Sequence, residues 1–330
     1  MSRPVILFSG QWVDMPFEKF CEKAKSFGYD GIEVACGGDH IDLKKAATDL
    51  KYVEERKNIL KNFGLKICAI GTHSTSYCVG AGNDPRLNAF APSNLSGKPE
   101  EIRKWAIQEM KYSAVAAKNL GVKVVTGFMG SPIWAYWYSF PPTTEKMISD
   151  AYAQIVKFWT PIFDEFDKNA VKFAVKVHPA DIAFDYYTAE RLIKEFKSRK
   201  TLGFNFDPSH LIWQGITPHI FIRDFASKIL NVHMKDAAVT LDGKAGLLGS
   251  FLNFGDVKRA WNFRSVGHGD IDFENIIREL NAINYKGPLS VEWEDSNMNR
   301  EVGAKEACEF VRNINFSPSD AAFDDAAKTE

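Results

Sequence analysis

The chain has 330 residues, 45% hydrophobic and 13% aromatic, which is ample for one large core. Lys and Arg total 41 against 42 Asp and Glu, a net charge of −1 that lacks the basic footprint of a nucleic-acid binder. Five cysteines without CxxC or zinc-finger spacing, no signal segment, and no run of about 18 apolar residues predict a cytoplasmic protein with reduced thiols and no membrane partner.

Taken in order, Val5 to Phe8 is a short apolar run that reads as a first strand, ended by Ser9 and Gly10. Helical spacing over 16–27 is followed by a strand over 31–35, a helix over 49–63 and a strand over 65–70. A loop over 71–99 leads to a helix over 100–120, stopped by Gly121, and to a strand over 122–127. An aromatic loop over 129–138 precedes a helix over 143–169 and a fifth strand over 171–179. A helix over 188–198, a strand over 202–207, a short helix over 218–225 and a strand over 229–233 follow. The chain closes with a long loop over 235–270, a helix over 273–282, a strand over 288–292 and a helix over 300–311.

Eight strands alternating with helices predict a single (β/α)8 TIM barrel over 1–315, with a C-terminal tail over 316–330. The alternative, a doubly wound open sheet, lacks the GxGxxG that would follow its first strand.

In such a barrel the active site lies at the C-terminal strand ends. Alternation puts Lys172, Ala174, Lys176 and His178 on the inward face of the fifth strand. By the same rule Asn205 and Asp207, then Asn231 and His233, then Ser290 and Glu292 face inward from the next three strands. One inward Asp or His is usually a hydrogen-bonded structural residue. Ionisable groups at the ends of four adjoining strands are costly to bury without a shared purpose. Asp207, His233 and Glu292 form a credible divalent-metal set, and the same residue types serve as general acids and bases.

At these residues the chain resembles the sugar phosphate isomerase/epimerase family, the xylose isomerase-like TIM barrels. The segment from Asn205 through Asp207 to His210, the pair His233 and Asp236 in His-Met-Lys-Asp, and Glu292 before Trp293 carry the resemblance. It is strongest to a longer bacterial subgroup that includes the metal-bearing subunits of C-glycoside deglycosidases, on the stretches 127–134 and 264–270. The resemblance implies a divalent metal, Mn or Mg, held by Asp207, His233, Glu292 and a glutamate from the fifth strand. It also implies a substrate-contacting His210 and an acid/base at His178.

The chain departs from that pattern at position 176, where lysine stands in place of the first ligand glutamate. A protonated lysine has three donors and no acceptor, so it cannot coordinate a metal. Two readings stay open. Either the Lys176 ammonium takes the vacated position beside Asp207 and Glu292, or Asp207, His233 and Glu292 keep a weakened three-ligand site.

The resemblance implies a small sugar or glycoside as substrate, with proton abstraction beside its carbonyl: isomerisation, epimerisation, or elimination from a 3-keto glycoside. Lys176, His178 and Glu292 are the candidate catalytic residues, and His210, Trp213, Asp236, Arg264 and His268 the candidate substrate contacts. Trp12, Trp134, Trp137 and Trp261 also fall in or beside strand-end loops, where aromatic faces suit sugar rings. Glu33 and His73 end the second and third strands and face the same mouth. The alternative function is a non-catalytic paralogue serving as a sugar-binding or partner subunit, and a homo-oligomer or second subunit is expected by analogy.

Overall fold

The computed structural model describes residues 3–319. Eight parallel strands close into a barrel: β1 (Val5–Phe8), β2 (Gly31–Ala35), β3 (Lys66–Gly71), β4 (Val124–Gly127), β5 (Lys172–Lys176), β6 (Leu202–Phe206), β7 (Ile229–Met234) and β10 (Leu289–Val291). β10 pairs with both β7 and β1, so the sheet has no free edge. Between β7 and β10 an antiparallel hairpin, β8 (Asp236–Val239) with β9 (Trp261–Arg264), stands outside the barrel sheet. The loop expected over 235–270 therefore contains two strands.

The main outer helices are α1 (Phe17–Ser26), α2 (Leu43–Thr48), α3 (Leu50–Asn62), α5 (Pro99–Leu120), α6 (Glu145–Lys168), α7 (Tyr186–Glu195), α9 (Pro218–Asp224), α10 (Phe273–Ala282) and α11 (Arg300–Ile314). Their starts are chemically marked. Asp49, Asp185, Asp272 and Asn299 accept first-turn N–H groups at their helix N-caps. Gly121 ends α5 in the left-handed region at φ +80°, where a side chain would be strained. Two short helices lie among the strand-end loops: α4 (His73–Tyr77) and α8 (Ser209–Ile212). Neither α2 nor α4 was expected, since six and five residues are too few to show a repeated helical pattern.

Apolar side chains from strands and helices fill the layer between them in one continuous cluster. Inside the barrel the pattern reverses. Lys176 lies in register with Asn205, and Asn205 with Asn231; Ser290 lies in register with His233. All are buried, so the barrel interior holds a polar layer just below its C-terminal mouth. No helix among the described residues is long and apolar enough to cross a membrane. Most of the expected tail, 320–330, lies outside the described residues.

Candidate active site at the barrel mouth

β5 ends at Lys176, whose side chain is 1% exposed. Its ammonium lies 3.0 Å from Asp207 Oδ2 and in closer contact with Glu292 Oε2. Asp207, one residue past β6, has its other oxygen fixed by Ser209, whose N–H and hydroxyl donate at 3.0 and 2.7 Å. Glu292, one residue past β10, also accepts from His233 Nδ1 at 2.9 Å and lies 3.5 Å from Lys235 Nζ. Three cationic side chains thus converge on one carboxylate. Burial alone would raise its pKa, but Lys176, Lys235 and His233 hold it well below the usual range.

His233 touches a second carboxylate. Its Nε2 lies 3.0 Å from Glu33 Oε2, while Thr126, Asn231 and Ser290 donate to the same Glu33 carboxylate at 2.5, 3.1 and 2.8 Å. An imidazole can donate from both nitrogens only when protonated. Burial works against that charge, yet Glu33 and Glu292 outweigh it and raise the His233 pKa. Glu33 responds in kind: burial pushes its carboxyl up, and His233 brings it down to about 2. Glu33, expected at the open mouth, instead lies fully buried under His233.

Lys235 was not anticipated. It lies one residue past the end of β7 and continues the alternation that turns His233, two residues earlier, inward. Its Nζ meets Glu294 at 2.5 Å and lies 4.1 Å from the centre of the Phe263 ring. Burial opposes its charge, and Glu292 and Glu294 overcome this to raise its pKa.

The imidazoles above these lysines behave oppositely. His178 lies beyond the end of β5, in the following loop, packed against Phe128 at 4.7 Å and against His210 at 4.2 Å between ring centres. Burial, reinforced by Lys176 and Lys235, brings its pKa down to about 4. His210, on α8, lies 3.4 Å from Asp207 Oδ2 and is lowered further by burial and by His178. His73, at the start of α4, rests among Phe8, Phe128 and His233 with both ring nitrogens buried and without a hydrogen-bond partner. At neutral pH the mouth therefore presents three uncharged imidazoles over two buried ammonium groups.

The loop carrying His178 is clamped by Asp181, whose carboxylate accepts from Met129 N at 2.7 Å and Ile182 N at 2.6 Å. Burial pushes the Asp181 carboxyl up to about 8. The folded chain then binds a proton that the unfolded chain releases above about pH 4. The Asp181 contribution to stability falls as pH rises from about 4 to 8, whereas the lowered imidazoles of His73, His178 and His210 make stability rise with pH up to about 6.5. Denaturant unfolding of the wild type and Asp181→Asn across that range should give a stability difference that shifts in favour of the variant as pH rises; a difference independent of pH would show that Asp181 is not protonated in the folded chain.

Several expected positions need correction. Lys172 is exposed at the first position of β5, because the inward face at the N-terminal rim meets solvent. Trp12 is fully buried against Phe20 and Phe27, a core residue rather than a strand-end platform. Asp236 is 1% exposed and its carboxylate is consumed by backbone N–H groups of Ala237, Gly267, Gly269 and Ile271. It ties the hairpin to the following loop instead of reaching a substrate. Asp236→Ala would strand buried N–H donors and is expected to cost about 3 kcal/mol or more, measurable by urea unfolding. His268 is exposed and pairs with Glu306 on α11 at 3.3 Å, and the Arg264 guanidinium donates to the neighbouring Phe263 carbonyl. Trp213 does reach the mouth, stacked on Trp261 with ring centres 4.7 Å apart.

Asp207, His233 and Glu292 each offer a ligand atom, all within 4.8 Å of one another, a group that could hold a metal ion. The surrounding chemistry works against it. The Lys176 ammonium already sits against Asp207 and Glu292, and both His233 nitrogens are committed to carboxylates. A divalent ion would need Lys176 to withdraw and His233 to lose a proton.

The sequence signature of the xylose isomerase-like TIM barrels matches residues 21–314. Over 318 residues the chain is 26% identical to the uncharacterised protein YfiH of Bacillus subtilis, spanning 90% of this chain and 95% of that one. It is 34% identical over 219 residues to an inosose dehydratase of Clostridium beijerinckii, covering 63% of this chain and 68% of the relative. The 3-keto-D-glucoside 4-epimerase YcjR of E. coli has the same fold, with a TM-score of 0.66 at 13% identity over 94% of this chain and 99% of that one. The chain belongs to the xylose isomerase-like TIM barrel family.

Proposed function

We propose that the chain is a carbohydrate-active enzyme that moves a proton beside the carbonyl of a keto sugar, using the Lys176 ammonium in the place of a metal cation. The observation that carries this reading is the position of that ammonium, between Asp207 and Glu292 and beneath the His178–His210 pair. The names of the relatives, a dehydratase and a keto-sugar epimerase, agree with carbonyl-centred sugar chemistry.

In this reading the substrate carbonyl oxygen faces the buried lysines, whose fixed charge stabilises the oxyanion as the neighbouring C–H bond breaks. His178 takes the proton, since its Nδ1 is engaged by the Pro179 carbonyl and its Nε2 is unprotonated at neutral pH. Glu292 is the weaker candidate base, because Lys176, His233 and Lys235 all engage its Oε2 and hold its pKa well below the usual range. His210, against His178, is better placed to return the proton or assist a leaving group. Proton return gives isomerisation or epimerisation, and loss of a group from the adjacent carbon gives elimination.

The filled donor set also favours a second reading, a sugar-binding or partner subunit without catalysis. Incubation with ketohexoses and 3-keto glucosides in D2O containing EDTA separates the two. Deuterium entering beside the carbonyl, followed by proton NMR, is expected. Tight binding of the sugars with no exchange and no product would leave the second reading.

A further inference from the structure

A cavity of about 400 Å3 reaches the Lys176 centre from the side of β1 and β3, meeting it at Glu292. Two short segments that leave the barrel there supply polar groups to its wall. Gln11 lies in the helical turn Gly10–Trp12 just past β1, and His73 opens α4 just past β3. Phe8, Phe90 and Phe128 form the apolar part of the wall.

Both ring nitrogens of His73 and Oε1 of Gln11 are buried and have no hydrogen-bond partner in the protein. Buried polar atoms in folded proteins are paired with few exceptions, since their lost hydration is otherwise not repaid. Two incomplete side chains on the wall of one cavity mark a place where a ligand completes the pairing. Glu292 adds a further acceptor. Its Oε2 is taken by Lys176, His233 and Lys235, while Oε1 receives only the Gln11 amide, at 3.4 Å.

Charge narrows what that ligand is. Among the described residues lining the cavity there is no lysine or arginine, and the one carboxylate is Glu292. A phosphate group calls for such cations and would meet the Glu292 charge instead. Neutral hydroxyls fit. They can donate to Gln11 Oε1 and Glu292 Oε1, and can both donate to and accept from the imidazole of His73, which burial and Lys176 keep uncharged.

We propose that this cavity holds the hydroxylated, unreacting end of the keto sugar, recognised by His73 and Gln11, which makes the substrate an uncharged, unphosphorylated sugar. This rests on the reading of the centre as a keto-sugar site.

Calorimetric titration with D-fructose, 3-keto-D-glucose and the 6-phosphate of each tests it. The neutral sugar is expected to bind at least about tenfold more tightly than its phosphate. His73→Phe and Gln11→Met should each weaken the neutral sugar by about 3–10-fold, the worth of one hydrogen bond. Neither should lower the urea midpoint, because each removes an unpaired buried group; a merely structural role would lower the midpoint and leave the affinity unmoved. Ser74→Lys, at the exposed rim of the cavity, supplies a cation and should narrow the preference over the phosphate. A phosphate bound as tightly as its neutral sugar would overturn the assignment, as would wild-type affinity for the neutral sugar in both His73→Phe and Gln11→Met. Either result alongside deuterium exchange beside the carbonyl would remove this site alone, whereas neither binding nor exchange of any of these sugars would remove the keto-sugar reading with it.

Discussion

Lys176→Met is expected to lower folding stability by about 3–5 kcal/mol, the cost of leaving buried carboxylates without their cation. The shape of the side chain is nearly kept, so the loss is electrostatic rather than a cavity. Asp207 and Glu292 would remain beside each other with only His233 and Lys235 to balance them. Part of the loss should return in the triple variant Lys176→Met, Asp207→Asn, Glu292→Gln, because neutral amides need no counter-charge. Urea unfolding of the three-member series reads this directly. A Lys176→Met variant as stable as the wild type would mean that Lys176 does not hold the two carboxylates.

The second large effect is on turnover. His178→Gln is expected to slow deuterium exchange beside the substrate carbonyl by about 10²–10⁴-fold, the usual contribution of a positioned general base. Glutamine keeps polarity and approximate size, so binding should change far less than rate, and the loss should fall on kcat rather than on KM. Glu292→Gln tests the competing assignment. It removes a charge that three cations depend on and should destabilise the chain, a signature His178→Gln lacks. Exchange at the wild-type rate in His178→Gln would move the base elsewhere, with His210 and His73 next in line by position.

The barrel was legible because short apolar runs recur between helical segments, the pattern of a parallel sheet buried on both faces, and the period-two rule of strands then assigns the inward residues. The convergence of Asp207, His233 and Glu292 followed from the same rule, applied to the last residues of adjoining strands. Alternation fails where the strand stops: β5 ends at Lys176, so His178 is set by the loop that Asp181 clamps. The Glu33–His233 contact joins residues 200 positions apart and exists only because the barrel closes. Asp236, Arg264 and His268, expected as substrate contacts, are engaged within the protein for a related reason. All three belong to the hairpin region, whose path is determined by backbone donors collecting on the Asp236 carboxylate. Lys235 was within reach, since it shares the inward side with His233, but its neighbour Asp236 drew the attention of the motif.

The most direct test of Lys176 as the resident cation is metal content. Wild-type chains purified from manganese-supplemented medium and passed through gel filtration are expected to carry well under one divalent ion each. Lys176→Glu, which completes a four-residue donor set, is expected to retain about one. About one tightly held divalent ion per wild-type chain would contradict the placement of the Lys176 ammonium at the centre of the site.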